Sequence, residues 1–244
     1  MRARPRAHRR RAKGRLRAAL LALAAAVPCA PAMADRPFLA TTGAAAEEDD
    51  DGVWSLESWF QRVGPRRSVS VAPEYAFSPV TSMQFELTRQ RDRAAGETTQ
   101  QAGFELKHLF NRIGRDGWGW GVAASIGFDK AAGGGWRRDG FGLTVPYTLR
   151  LWDGDAALHL NAGLDKPRDA KREWRWSAAL ERELLPRTSF FAEAAREGHA
   201  RLLHGGLRWW LRRERVALDV GVQRVRGGGE RESGLVVGLG WYDL

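Results

Sequence analysis

Short runs of alternating apolar and polar residues repeat along this chain from Val53 to its last residue, Leu244. Between Ser68 and Arg91, two such runs lie on either side of Ser78-Pro79, residue types that are typical of a turn. Because successive side chains of a strand point to opposite faces, each run predicts a strand with one apolar and one polar face. Each run is also about ten residues long, the length with which a tilted strand crosses a bilayer.

Ten further segments continue this alternation. They are Val53–Val63, Thr98–Phe110, Trp118–Phe128, Phe141–Leu151, Ala156–Leu164, Glu173–Glu183, Ser189–Arg196, Arg201–Leu211, Val216–Arg226 and Ser233–Leu244. The first of them also fits one face of a helix, but the turn residues Gly64-Pro65 that follow it favour a strand. With the hairpin, the pattern predicts twelve strands, an even number as in bacterial membrane barrels.

The net charge of +10 arises almost entirely at the start of the chain. Residues 1–34 hold nine of the 39 basic residues and none of the 29 acidic ones, so the remainder is nearly neutral and does not indicate a nucleic-acid partner. This segment has a basic start, an apolar run from Ala18 to Val27 and the small residues Ala32-Met33-Ala34. That order predicts a secretory signal peptide, cleaved after Ala34. Its Cys29 is the chain's one cysteine, so we expect the mature chain to have no disulfide.

Two regions are expected after cleavage. Residues 35–52 include the acidic run Glu47–Asp51 and predict a solvated, flexible leader. Residues 53–244 contain no apolar run of helical length, and an exported chain of this kind is either soluble or a membrane barrel, since only helices and closed barrels satisfy every backbone group in lipid. The repeated alternation favours one all-β domain, an antiparallel up-and-down transmembrane β-barrel in the outer membrane of a Gram-negative cell.

The connections between the predicted strands indicate an orientation. With a periplasmic amino terminus, the longest predicted loop, Asp129–Gly140, falls on the extracellular side, as is usual for such barrels. Aromatic residues collect near the other set of turns and predict a girdle at the membrane interface. They are Phe77, Phe110, Trp118, Trp152, Trp209 and Tyr242.

If the apolar faces meet lipid, the polar faces enclose a charged lumen. The candidate lumen-facing residues are Glu57, Glu74, Glu86, Glu105, Lys107, Arg150, His159, Arg175, Glu181, Glu193, Arg208 and Asp219. Both signs occur, and buried charges need partners, so ion pairs between strands are expected. These pairs either hold the strands in register and fill the barrel, or select a solute that passes through it. Twelve strands lie between the eight that fill their interior and the sixteen that leave a channel, so both interpretations stay open.

The predicted strands and loops also contain residue types that occur in catalytic and metal sites. His159, Asn161, Ser177 and Ser125 supply the residue types of a triad, and Asp129, Asp139, Asp165 and His199 supply those of a protease at the barrel rim. No nucleophile stands in a recognisable motif, and the histidines, including His108 and His204, lack paired metal-ligand spacing. We therefore predict no catalytic site, no metal and no cofactor.

Four stretches carry a family resemblance. They are Glu74–Pro79, Glu105–Phe110, Leu218–Val222 and Gly234–Gly240. Together they resemble uncharacterised outer-membrane barrels that are grouped as transporters linked to phenol meta-pathway degradation. The resemblance implies an outer-membrane location and a transport role without an established substrate.

The sequence thus predicts a non-enzymatic outer-membrane pore, porin-like, for small solutes. Its expected partners are membrane lipid, the barrel-assembly machinery and a small molecule of unknown identity. Two alternatives remain: a closed structural or adhesion barrel that acts through its extracellular loops, and a lipid-modifying barrel enzyme.

Overall fold

The computed structural model describes residues 37–44 and 52–244. The predicted signal peptide, its cleavage site and the acidic run Glu47–Asp51 lie outside the described residues. In the part that is described, no helix is long and apolar enough to cross a membrane.

Twelve antiparallel strands close into one barrel in which each strand pairs with its neighbours in the chain and the last pairs with the first. Their bounds are β1 Trp54–Val63, β2 Arg66–Ser78, β3 Thr81–Asp92, β4 Glu97–Leu109, β5 Trp118–Ala131, β6 Arg137–Leu151, β7 Ala156–Pro167, β8 Glu173–Leu185, β9 Thr188–Glu197, β10 Ala200–Arg212, β11 Val216–Gly227 and β12 Glu230–Trp241. The predicted twelve-stranded up-and-down barrel is confirmed, and so is the strand interpretation of residues 53–63.

The outer wall is apolar because the alternating faces of neighbouring strands are in register. Met83 pairs with Leu106 and Phe85 with Phe104 across β3 and β4. Leu106 is 53% exposed although it lies in the middle of the sheet. A continuous exposed apolar wall of this kind is unfavourable in water and suits the hydrocarbon core of a bilayer.

The two ends of the barrel differ in their connections. One end, here called the terminal rim, holds both the start of β1 and the chain end, since the Leu244 N–H donates to the Trp54 carbonyl over 2.9 Å. The longest connection between strands, Phe110–Gly117, lies at this rim and contains a single-turn helix, α1 (Ile113–Asp116). The prediction that the longest loop lies at the opposite rim is therefore wrong.

The predicted loop Asp129–Gly140 is mostly strand. β5 continues to Ala131, β6 begins at Arg137, and Asp129 pairs with Arg137 after a bulge. The connection shrinks to residues 132–136, in which Gly133 has a φ of +76° that glycine adopts without strain. The sequence underestimates the length of these strands, because their ends are polar on both faces and show no alternation.

Aromatic side chains surround the terminal rim on the outside, where Phe77, Phe110, Trp118, Trp152 and Trp209 are all exposed. Tyr242 differs from this predicted set. It follows the end of β12, and its hydroxyl donates to Glu57 Oε1 inside the barrel over 2.9 Å. Its neighbour Trp241 takes the outward position instead, with 49% of its surface exposed.

Candidate functional site

The barrel interior holds most of the charged residues selected from the sequence. Nine of the twelve are buried: Glu57, Glu74, Glu86, Glu105, Lys107, His159, Glu193, Arg208 and Asp219. Arg175 and Glu181 are half-buried, and Arg150 is exposed. Arg150 shares the inward face of β6 with Thr148 but is the strand's second-last residue, so it lies at the terminal rim.

One network of these residues joins three strands near the terminal rim. The Arg208 guanidinium on β10 donates to both carboxylate oxygens of Asp219 on β11, over 2.8 and 3.0 Å. It also donates to the Tyr242 hydroxyl over 3.1 Å, and that hydroxyl donates to Glu57 on β1. Burial raises the pKa of Tyr242 well above its ordinary value, so the phenol stays protonated and keeps its donor.

Two further ion pairs cross the interior elsewhere. Lys107 Nζ lies 3.9 Å from a Glu74 oxygen, and Arg175 lies 3.6 Å from Asp165. The buried set nevertheless has an acidic excess, because it contains six carboxylates and two basic side chains, with His159 as the ninth member.

The amino-terminal segment Pro37–Ala44 lies inside this interior. The prediction of a solvated leader is wrong for these eight residues, of which six are buried. Phe38–Ala44 has no strand periodicity, so its sequence does not distinguish a segment enclosed by the barrel from a leader in solvent. The segment lies inside the barrel with bends at Leu39, Ala40 and Ala44, and it joins no strand of the sheet.

The carboxylate of Glu193 on β9 holds the first half of the segment. It accepts hydrogen bonds from the backbone N–H groups of Leu39 and Ala40, each over 2.8 Å, and from the Thr41 hydroxyl over 2.7 Å. His204 Nδ1 lies 3.4 Å from the same carboxylate. A single buried acid thus satisfies three donors of a chain that has no sheet partner.

The second half of the segment is held by side chains of β6 and β7. Asn161 accepts from the Thr42 N–H over 2.7 Å and donates to the Thr42 carbonyl over 2.8 Å, as a strand neighbour would. The Ala44 N–H donates to the Thr148 hydroxyl over 2.8 Å. These contacts replace the hydrogen bonds to a neighbouring strand that Pro37–Ala44, as a segment outside the sheet, lacks.

An aromatic contact completes the anchoring. Phe38 is 2% exposed and packs edge-on against Phe191 at a ring separation of 6.3 Å. Its other side faces His159, with 5.1 Å between the ring centres. Phe38, Phe191 and Ala179 form the one apolar core cluster among the described buried residues.

The segment enters from the terminal rim. Ala44 lies beside α1, since a side chain added at Gly119 would meet both the Ala44 carbonyl and Ile113. Gly52 lies at the same rim, because its N–H donates to the Ala76 carbonyl. Leu39 and Ala40 lie further in and border a cavity that extends to the opposite rim.

This cavity has a volume of about 220 Å³ and a mixed wall, in which apolar surface exceeds polar surface. Seven amide and hydroxyl side chains line it beside apolar ones such as Trp59; the seven are Gln61, Ser68, Ser70, Thr88, Gln90, Gln101 and Gln223. Glu86 and Glu197 supply negative charge, and Arg66 supplies positive charge near the mouth. The cavity is large enough for a small polar molecule, and the segment forms its floor.

The triad candidates hold the segment or lie apart from one another. Ser177 Oγ lies 3.4 Å from the Ala40 carbonyl and 3.3 Å from Asn161 Oδ1, and His159 Nδ1 lies 2.9 Å from the Thr148 hydroxyl. Ser125 lies on β5, beside Gly142.

The rim-protease candidates are dispersed as well. Asp129 pairs with Arg168, Asp165 pairs with Arg175, and His199 is exposed in the turn between β9 and β10. Asp139 lies in the bulged start of β6. No group of three potential metal ligands occurs among residues 37–44 and 52–244.

Comparison with known proteins sets the chain among its relatives. The model of a family described as "Uncharacterised conserved protein UCP029691" matches residues 23–240. The chain belongs to this family. No curated protein matches it.

Solved structures share the fold at low sequence identity. The KdgM porin in complex with disordered oligogalacturonate has a TM-score of 0.58 at 9% identity, covering 77% of this chain and 98% of that one. The NanC porin gives 0.57 at 8%, covering 78% and 100%. The outer membrane protein Omp33 of Acinetobacter baumannii gives 0.50 at 10%, covering 79% and 98%. The barrel therefore has the fold of outer-membrane porins.

Proposed function

We propose that this protein is an outer-membrane pore for small polar solutes, and that the segment Pro37–Ala44 closes it in the conformation described here. The observation that carries the proposal is the cavity of about 220 Å³ that extends from the opposite rim down to Leu39 and Ala40 of the segment. Without the segment this cavity is expected to extend toward the terminal rim, because the segment borders the cavity at Leu39 and Ala40 and reaches that rim at Ala44.

The strength of the anchoring suits a gate that is closed most of the time. Five hydrogen bonds from the segment to Glu193, Asn161 and Thr148 contribute on the order of 1 kcal/mol each. Burial of Phe38 adds roughly 2 kcal/mol. The conformational entropy lost on ordering the segment opposes these contributions. Changes in the anchoring residues are therefore expected to lower the closed fraction.

The inner wall favours cations and neutral solutes. Its six buried carboxylates outnumber its buried Lys107 and Arg208. A ring of acidic side chains raises the local concentration of cations and repels anions of similar size. The amides and hydroxyls of the cavity supply hydrogen-bonding partners for an uncharged polar solute.

A second function, a closed structural or adhesion barrel, is favoured by the filled interior alone. The connections at the opposite rim, the extracellular side in this proposal, argue against it, because each has two to five residues in the described structure. Loops this short offer little surface to a protein partner. The resemblance to transporters linked to phenol meta-pathway degradation stays a prediction. The proposed pore does not depend on a substrate from that pathway.

Single-channel recording in planar bilayers tests the proposal. The mature protein is expected to show rare conducting events, and a variant that lacks residues 37–44 is expected to conduct persistently. Heat-modifiable mobility in detergent gels verifies that both proteins are folded barrels. A folded deletion variant without conductance would refute the pore and leave the closed barrel as the better explanation.

A further inference from the structure

Charged side chains at the opposite rim are sorted by face. Alternation along each strand and the pairing between strands place the acidic residues on the inner face; they are Asp92, Asp129, Asp165, Glu173, Glu197 and Glu232. The same register places a row of arginines on the outer face of seven adjacent strands, from β9 through β12 and β1 to β3. This row, here called the arginine row, consists of Arg196, Arg201, Arg226, Arg231, Arg62, Arg67 and Arg91.

Within the arginine row, like charges lie directly opposite one another. Arg201 pairs in register with both Arg196 and Arg226, and Arg226 pairs with Arg231. On the next strands, Arg67 pairs with both Arg62 and Arg91. Directly opposed like charges destabilise a sheet. An anion bound between these five pairs would replace their repulsion with attraction.

The protein itself supplies little compensation. In the described part of the chain, no carboxylate forms an ion pair with any member of the arginine row, whereas the inward Arg66 beside it pairs with Glu232. Arg196 donates to the Gly198 carbonyl over 3.0 Å, which leaves its charge unneutralised. All side chains of the row are exposed except that of Arg67, which is half-exposed. Arg201 also borders the mouth of the cavity.

The arginine row lies where lipid headgroups meet the barrel. On β1, Arg62 is the next outward residue after the exposed Phe60. On β2, Arg67 is the outward residue immediately before the exposed Val69. One outward position corresponds to about 7 Å along a strand. The outer face of the terminal rim instead carries aromatic side chains. The two ends of the apolar wall therefore suit different headgroups.

We propose that the arginine row binds the phosphate groups of an anionic lipid in the leaflet around the opposite rim. Arginine binds phosphate through paired N–H donors, and neighbouring strands lie about 4.8 Å apart, so two arginines can reach one phosphate. The partner is a lipid with two or more phosphates rather than free phosphate, because the row borders a wall that receives acyl chains. The proposal rests on the membrane placement proposed above and is independent of conductance.

Lipid binding by the purified mature protein tests this. Diphosphoryl lipid A in mixed micelles is titrated against the wild type, against a variant carrying R62Q, R67Q, R226Q and R231Q, and against a control carrying R182Q, R187Q, R212Q and R213Q. The control removes the same charge from exposed positions at the terminal rim. The first variant is expected to bind on the order of a hundredfold more weakly than the wild type, and the control within about threefold of it.

Three controls make the result decisive. Heat-modifiable mobility establishes that each variant is folded. Phosphatidylcholine micelles are expected to bind all three proteins equally and weakly, and inorganic phosphate at millimolar concentration is expected to displace little lipid A.

Equal losses of lipid A binding in both variants would overturn the proposal, as would unchanged binding in the first variant. Full displacement by inorganic phosphate would also overturn it, since it would identify a site for the free anion. A protein without conductance that still binds lipid A through the arginine row would refute only the pore.

Discussion

The Thr41 hydroxyl and the Glu193 carboxylate lie 2.7 Å apart although 152 positions separate them in the chain. The bond connects a segment outside the sheet with the inner wall of β9. Since Glu193 also accepts from the N–H groups of Leu39 and Ala40, its loss removes three contacts at once. Among the side chains described here as accepting hydrogen bonds from the segment, Glu193 accepts the most.

Glu193→Ala is expected to release the segment. A T42C probe reports this, because Thr42 binds Asn161 through its backbone and is 2% exposed. Removing three hydrogen bonds of about 1 kcal/mol each should raise the rate of labelling by a water-soluble maleimide at least tenfold. Glu105→Ala, which removes a buried acid on β4, should leave the rate unchanged. Equal rates in both variants would show that Glu193 does not hold the segment.

Phe38→Ala is expected to increase the open fraction of the proposed pore. The substitution removes the ring that packs against Phe191 and His159, so the closed state loses on the order of 2 kcal/mol while the open state loses little. Single-channel recording should show at least tenfold more open time. Phe190→Ala removes a ring from the outer wall of the same strand as Phe191 and serves as the control.

Arg208→Ala is expected to destabilise the barrel by about 3 kcal/mol or more, because Asp219 is left as an unpaired buried charge. The double variant R208L/D219L should recover most of this loss. Arg213→Ala, at an exposed pair with 4.0 Å between charged atoms, should cost about 0–1 kcal/mol. Urea midpoints in lipid vesicles measure all three; a double variant no more stable than Arg208→Ala would contradict this account of the pair.

A pore opened by deleting residues 37–44 is expected to select cations. The inner wall keeps its six buried carboxylates in that variant. The reversal potential measured in a potassium chloride gradient should therefore have the sign that indicates cation selectivity. Adding E86Q and E105Q should move the reversal potential toward zero. An unchanged potential would mean that these acids do not face the permeation path.

The pKa of Tyr242, raised by burial, predicts an alkaline loss of stability. An acid whose pKa is higher in the folded than in the unfolded state stabilises the fold while it is protonated, and that contribution falls as pH rises through its ordinary value of about 10. The unfolding midpoint of the wild type should fall more steeply above pH 10 than that of Tyr242→Phe. Parallel slopes for the two proteins would exclude the phenol as the source.

The barrel was predictable because alternation is a local property that every strand repeats. Trp118–Phe128 shows apolar residues at each second position, and the structure continues that strand in register to Ala131. The strand ends were less predictable, since Asp129-Lys130 and Arg137-Arg138 are polar on both faces. Nothing in such residues distinguishes a strand that extends beyond the membrane from a loop.

The interior could be predicted only in part. The inward parity identified Glu193 and Asn161, but their partners come from a segment more than a hundred positions away. Phe38–Ala44 has neither periodicity nor a binding motif, so its placement depends on shape and hydrogen bonding that exist only once the barrel has closed. The position of Tyr242 is hard to predict for another reason, because β12 carries apolar residues or glycine on both faces; Tyr242 continues the inward face of Val236, Gly238 and Gly240.

Closure itself has a consequence for how the molecule forms. Leu56 of β1 pairs with Trp241 of β12, so the seam joins the first strand to the last and spans nearly the whole barrel sequence. Pairing over such a separation is slow, because the conformational entropy of closing a long loop is lost before the hydrogen bonds of the seam form. Until β12 arrives, β1 and β11 each expose an unpaired edge, which is the form most prone to aggregation. Truncation within the last dozen residues should therefore abolish assembly, however stable the other eleven strands are.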